Sequence, residues 1–348
     1  MRRVLPLRMR TQRSLFAVTT IALALAAVSL ATLAIDVYVH TRLARYAALN
    51  VWGYRGPTVS RKREREQRIF VIGGSTVFGV GYSWEAAFPV KLEQELRTRA
   101  SFPVSVVNLG FPGENAFAYR ATLDDFRFLQ PDVVIFYGDN NVDVTAPVVL
   151  RHESAVFRLT GYYPLLPTAM REKAMALEHD GNVGAGYRNE PLSKPHVAAR
   201  VTAFALARLA ALGSALQYPL DRIWPDTTEP DGAELAVVLR TCGAPWTDYC
   251  DAMYRAVADA RRHGYRVFVV NQPYASPRCV EEQRTLRQML HERFGGDSSV
   301  QYLDLGWALD LHDPALAYDG MHLTPEGNRR IAHELAEHMW GVLGDESS

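Results

Sequence analysis

The chain has 348 residues, 48% of them hydrophobic and 10% aromatic, with 38 basic side chains against 38 acidic ones. That composition supports a packed core and excludes wholesale disorder. A formal net charge of zero leaves no global field for a polyanion, so a dedicated nucleic-acid binder is not expected, and three cysteines exclude a disulfide-rich scaffold.

Residues 1–14 are basic, and Leu15 to Ile35 follow as 21 residues without a charge. A helix of that length spans about 31 Å, enough for the hydrocarbon core of a bilayer. Arg2, Arg3, Arg8, Arg10 and Arg13 precede it, and only Arg42 and Arg45 follow within fifteen residues. This bias places the N-terminus in the cytoplasm and the body across the membrane, periplasmic or extracellular. The apolar run is about twice the length usual in a cleaved signal peptide and no clean A-x-A site follows, so an uncleaved anchor is the expectation. Residues 36–67, ending in Arg61-Lys62-Arg63-Glu64-Arg65-Glu66, read as a solvated linker.

From Arg68 onward, short Val- and Ile-rich runs alternate with longer amphipathic ones. Strands are expected at 69–72, 104–107, 133–136, 267–270 and 300–303, and helices near 84–98, 115–129, 247–263, 277–293 and 326–343. The alternation implies an α/β domain over 68–343, with a central parallel sheet of about five strands covered on both faces. Ligands of such sheets bind beyond the carboxyl ends of the strands. Residues 144–240 break the rhythm and read as an insertion, and 344–348 as a tail. Within the insertion Val197 to Leu220 is largely apolar; a packing helix is the simplest reading, a lid or membrane-surface helix the alternative. An exported body permits a Cys242–Cys250 bridge, but spacing alone does not establish one, and three partly buried thiols are the default.

Four turns at strand ends carry chemistry-bearing residues. The first strand runs into Gly73-Gly74-Ser75-Thr76, which puts a hydroxyl at the start of the next element. The second ends in Asn108-Leu109-Gly110-Phe111-Pro112-Gly113, where Gly110 offers an unobstructed backbone N–H. The third ends in Gly138-Asp139-Asn140-Asn141, where an Asn side chain can donate to an oxyanion. After the fifth comes Asp319-Gly320-Met321-His322, followed by the helix-start signal Thr324-Pro325-Glu326. A carboxylate three residues before an imidazole on a turn can fix its tautomer and leave Nε2 to take a proton. Together they supply nucleophile, base, orienting acid and oxyanion donors.

In these four blocks the chain resembles the SGNH hydrolases, the GDSL lipase/esterase superfamily. The matching residues are Gly73-Gly74-Ser75, Gly110, Gly138-x-Asn140 and Asp319-x-x-His322, across roughly 68–143 and 265–343. The resemblance implies a flavodoxin-like three-layer sandwich and a triad of Ser75 (nucleophile), His322 (base) and Asp319. It further implies an oxyanion hole from the Ser75 and Gly110 N–H groups and the Asn140 side chain. The chain departs from the pattern at Gly74, where the family has Asp, and at Asn141, where Asp is usual; neither carries a proton transfer. No cofactor is implied. Val80 stands where a phosphate-binding loop needs lysine, and Glu337 replaces the second histidine of H-E-x-x-H, so no metal is expected. The function implied is a membrane-anchored esterase acting on acyl esters, O-acetylated cell-envelope polysaccharide or lipid among them. An O-acyltransferase sharing the same acyl-enzyme, or a non-catalytic glycan-binding scaffold, are the alternatives; oligomeric state is not legible.

Overall fold

A computed structural model describes residues 7–45, 49–138, 151, 154–181, 197–223 and 242–343. The chain divides into two compact units, one of residues 1–42 and 165–211, the other of residues 43–164 and 212–348.

In the first unit, helix α1 (Leu7–Leu43) contains a stretch, Ser14–Leu43, that is long and apolar enough to cross a membrane. Residues 14–35 are all exposed, whereas Asp36 and His40 are buried. The Asp36 carboxylate accepts the backbone N–H groups of Leu165 and Leu166, at the start of a helix over Leu166–Glu178. A carboxylate there satisfies N–H groups that have no partner within the helix and faces its positive end. In a further helix, Val197–Ile223, the buried side chains among described residues 197–211 are Ala203 and Ala210, while Val197, Val201, Phe204 and Leu209 are exposed.

The second unit holds a five-stranded, all-parallel sheet. Its strands are β1 (Gln67–Ile72), β2 (Val104–Asn108), β3 (Val133–Tyr137), β4 (Arg266–Asn271) and β5 (Val300–Asp304), in the order β2-β1-β3-β4-β5. This is the flavodoxin-like order. Each strand begins and ends within two residues of its expected limits; β1 to β4, buried on both faces, read as near-continuous apolar runs, whereas the edge strand β5 is only partly buried. One face, Ile69, Val71, Ile135 and Val270 among it, joins a core with α3 (Phe88–Arg99) and the C-terminal helix Pro325–Leu343. On the other face Phe136 stacks on Tyr119 of α4 (Ala116–Phe126), which packs against the helix Thr247–Arg262.

Two expectations need correction. Residues 49–66, expected as a solvated linker, pack into this unit. Arg61, Arg63, Glu64 and Arg65 are exposed as anticipated, but Tyr54, Arg55 and Glu66 are buried. Glu66 pairs with buried Arg68 at 2.8 Å, and the guanidinium also donates to the carbonyls of Ser60 and Leu129. A charge run says nothing about partners elsewhere in the chain, and these partners make burial tolerable. Secondly, Cys242 and Cys250 form a disulfide, with Cα atoms 6.3 Å apart across a helix start; Cys279 is not part of it.

Candidate active site

Strand β1 ends at Ile72, and two glycines later Ser75 opens a one-turn helix, α2 (Ser75–Phe78). The imidazole of His322, 247 residues away in sequence, lies against it: Nε2 is 2.9 Å from Ser75 Oγ. Nδ1 of the same ring is 2.6 Å from Asp319 Oδ2. Asp319 Oδ1 accepts the backbone N–H groups of Met321 (3.1 Å) and His322 (2.7 Å), so the turn itself orients the carboxylate. The bonds to Asp319 assign the ring proton to Nδ1, and Nε2 is left as the acceptor of the serine O–H. Burial pushes the Asp319 carboxyl up, but bonds from the His322 ring and N–H and from the Met321 N–H outweigh it and hold it below the ordinary carboxylate range.

The turn is set by the start of the helix Pro325–Leu343. Thr324 Oγ1 accepts the Gly327 N–H as the cap, Pro325 occupies the first turn, and Thr324 Oγ1 donates to the carbonyl of Ala315. Tyr318 adds a contact that was not anticipated. Its ring stacks on the His322 ring, with centroids 5.8 Å apart and planes at 17°. Its hydroxyl donates to the Val80 carbonyl at 3.1 Å, and Tyr82 packs edge-on against it.

Support beneath Ser75 comes from β2. Asn108 Nδ2 donates to the Val77 carbonyl at 2.8 Å, and Arg55 lies over the Phe78 ring while its N–H bonds the Asn108 carbonyl. Thr76 Oγ1 donates to buried Gln272, just past β4, at 3.2 Å.

The expected oxyanion donors fare differently. Asn140 lies outside the described residues. Gly110 does sit beside α2, but its N–H donates to Asn108 Oδ1 at 3.0 Å. Leu109 donates to Val71, Phe111 to Gly73 and Glu114 to Phe111, and Pro112 has no N–H. The Gly113 N–H remains, without an acceptor among the described residues.

Arg151 was missed altogether. It comes from the insertion yet is 1% exposed. It pairs with buried Glu114 at 3.0 Å and donates to the carbonyls of Gly53 and Leu109, clamping the loop that carries Gly113. A lone arginine in an irregular stretch gives no sequence signal of such a role. Among the described residues no group of three His, Cys, Asp or Glu side chains is placed to hold a metal.

No family model matches the sequence, and no curated protein matches it either. Among solved structures the chain has neighbours of the GDSL and carbohydrate-esterase kind. One is a protein assigned to the lipolytic G-D-S-L family from Desulfitobacterium hafniense, at 12% identity and a TM-score of 0.39, covering 78% of this chain and 98% of that one. Another is the family 3 carbohydrate esterase of Clostridium thermocellum, at 11% identity and a TM-score of 0.43, covering 81% and 100%. A third is an acetyl xylan esterase from Butyrivibrio proteoclasticus, at 12% identity and a TM-score of 0.39, covering 83% and 66%.

Proposed function

We propose that this protein is a membrane-tethered serine esterase that cleaves acyl esters through an acyl-enzyme. The observation that carries the reading is the unbroken hydrogen-bonded series Asp319–His322–Ser75, at 2.6 and 2.9 Å. Such a series supplies a nucleophile, a base in reach of its proton, and an anion to stabilise the imidazolium.

In the first half-reaction Ser75 Oγ attacks the ester carbonyl carbon while His322 Nε2 takes the hydroxyl proton. The C–O bond to the alcohol then breaks, and the imidazolium returns the proton to the leaving oxygen. Water repeats the sequence on the acyl-serine and releases the acid. The carbonyl oxygen, negative in both tetrahedral intermediates, needs fixed donors. We assign that role to the N–H groups of Ser75 and Gly110, the latter shared with Asn108 Oδ1 in the resting site, together with the Asn140 side chain. Each donor of this kind contributes about 2.7–4 kcal/mol to the transition state.

The tether reading is supported by the apolar helix and by what lies beyond it. Asp36 and His40 belong to the same continuous helix, and Asp36 caps a second helix, so a cut at the end of the apolar run would disrupt a folded unit. The Cys242–Cys250 disulfide fits an oxidising, exported location. The acyl acceptor could be water or a sugar hydroxyl by the same chemistry; hydrolysis needs no further component.

The test is p-nitrophenyl acetate hydrolysis by the full chain in detergent. The parent should show a burst of p-nitrophenol from the acyl-enzyme, absent in Ser75→Ala and His322→Ala. Asp319→Asn should lower kcat on the order of 10⁴-fold by letting the ring adopt the wrong tautomer. A folded parent no faster than its Ser75→Ala variant would refute the reading.

A further inference from the structure

Trp307 is 79% exposed, as bare as Phe16 on the apolar helix at 75%. Single exposed apolar residues are ordinary. Trp307, however, stands on the loop after β5, at the carboxyl edge of the sheet where Ser75 also sits, and its surroundings are constructed. The Tyr274 ring, from the loop after β4, packs edge-on against the indole with centroids 5.0 Å apart. Tyr274 lies directly over Gly306: a Cβ there would come within 2.0–2.6 Å of the phenol ring, so any other residue would push the ring away. The Tyr274 N–H donates to the Gly306 carbonyl at 2.9 Å, tying the two loops together.

Asp304, at the end of β5, completes the arrangement. Its Oδ1 accepts from Asn271 Nδ2 (3.0 Å), the Tyr274 hydroxyl (3.2 Å) and the Gly306 N–H (3.0 Å). Three donors on one oxygen fix the carboxylate, and Oδ2 has no partner among the described residues. Burial and the Asp304 carboxylate push the Tyr274 hydroxyl up to about 12, so it stays a donor. The result is a rigid, exposed aromatic face beside an oriented, exposed acceptor. Two to three strand spacings separate this edge of the sheet from β1, which puts the platform about 10–15 Å from Ser75. The Thr76–Gln272 bond joins the post-β4 loop directly to the nucleophile's neighbour.

We infer that Trp307, Tyr274 and Asp304 form a subsite for a pyranose ring of a glycan whose ester Ser75 cleaves. The indole face, negative by its quadrupole, receives the C–H face of the sugar, and Asp304 Oδ2 accepts a ring-edge hydroxyl. Ligand sites combine aromatic lining with few, well-placed polar groups in this way. A lipid occupant fits poorly, because the carboxylate would have to leave water without a cation. In naming the substrate this inference rests on the esterase reading, but sugar binding as such does not.

Two measurements on the full chain in detergent separate the two. The first compares kcat/KM for partially acetylated cellohexaose and for p-nitrophenyl acetate in the parent, Trp307→Ala and Trp307→Phe. The subsite predicts at least a tenfold loss on the sugar ester in Trp307→Ala, partial recovery in Trp307→Phe, and p-nitrophenyl acetate turnover within twofold throughout. The second titrates unacetylated cellohexaose into Ser75→Ala and into Ser75→Ala/Trp307→Ala by calorimetry; binding should be seen in the first and weaken at least tenfold in the second. If the parent cleaves p-nitrophenyl acetate but Trp307→Ala leaves the sugar ester and the titration unchanged, the subsite is wrong and the esterase stands. If neither ester is cleaved yet the titration depends on Trp307, the subsite stands and the esterase falls. Binding of choline in place of cellohexaose would make the platform a cation site and overturn the inference.

Discussion

His322 is held by more than Asp319, and the second support lies on the face of the ring. Tyr318 covers that face and is itself moored by its hydroxyl to Val80. The mooring requires Gly81, which has φ +91°; a Cβ there would lie 2.7 Å from Tyr318 Oη and 3.0 Å from Cζ. Gly81→Ala should therefore displace the tyrosine and let the imidazole swing. A misplacement of about 1 Å in a catalytic group costs on the order of 10²-fold in rate. Gly81→Ala is expected to lower kcat by that order with KM little changed and the circular dichroism spectrum intact. Tyr318→Phe keeps the ring and removes one hydrogen bond of about 1 kcal/mol, which predicts only a several-fold loss. Equal kinetics for parent and Gly81→Ala would show that Tyr318 does not position the base. At this scale much of the site was legible: Ser75, Asp319 and His322 were visible as types at spacings that chemistry requires. Tyr318 was not, because stacking depends on where a side chain turns, and the Gly110 N–H proved to be bonded within its own loop.

At the scale of elements, two buried ion pairs fasten irregular segments to regular ones. Arg151 and Glu114, both about 1% exposed, join the insertion to the loop before α4, and the arginine also lies over the rings of Phe111 and Phe126. Burial pushes the Glu114 carboxyl up, and Arg151 opposes it. Removing one partner leaves a charge in an apolar setting. Arg151→Met should cost about 3–5 kcal/mol in urea unfolding, and a second change, Glu114→Gln, should recover part of it. A loss below 1 kcal/mol would contradict the clamp.

Glu66 behaves in the opposite sense. Burial pushes its carboxyl up, but the Arg63 N–H, the Arg68 guanidinium and the Ser105 hydroxyl together draw it down from 4.5 to about 2. A depressed folded pKa adds stability that is fully present above pH 4.5 and is lost as the pH falls through 2. The shift amounts to about 3 kcal/mol. Urea midpoints of the parent should fall more steeply than those of Glu66→Gln between pH 5 and 2; parallel curves would contradict this. Both pairs escaped the sequence reading for one reason. Periodicity reports which positions face a core, and it announces neither Glu114 as the partner of Arg151, 37 residues away, nor the Leu129 carbonyl that helps bury Arg68 beside Glu66.

At the scale of the whole molecule, the parallel sheet was the most legible feature, since β1 to β4 are buried on both faces and leave no polar alternation to misread. The order β2-β1-β3-β4-β5 then brings the ends of β1, β2 and β3 together, and Ser75 meets the turn before the last helix. Residues 49–66 were harder to read because the exposed charges of Arg61, Arg63, Glu64 and Arg65 mask the buried residues on either side. The disulfide was open for a different reason, as pairing depends on Cα separation and not on spacing along the chain.

Ester cleavage by this route requires Ser75 to be an activated nucleophile. The direct measurement is fluorophosphonate labelling of the full chain in detergent, read by intact mass and peptide mapping, beside Ser75→Ala and His322→Ala. The prediction is one adduct on Ser75 in the parent and none in either variant. A well-folded parent that takes up no label, or labels equally without His322, would contradict it.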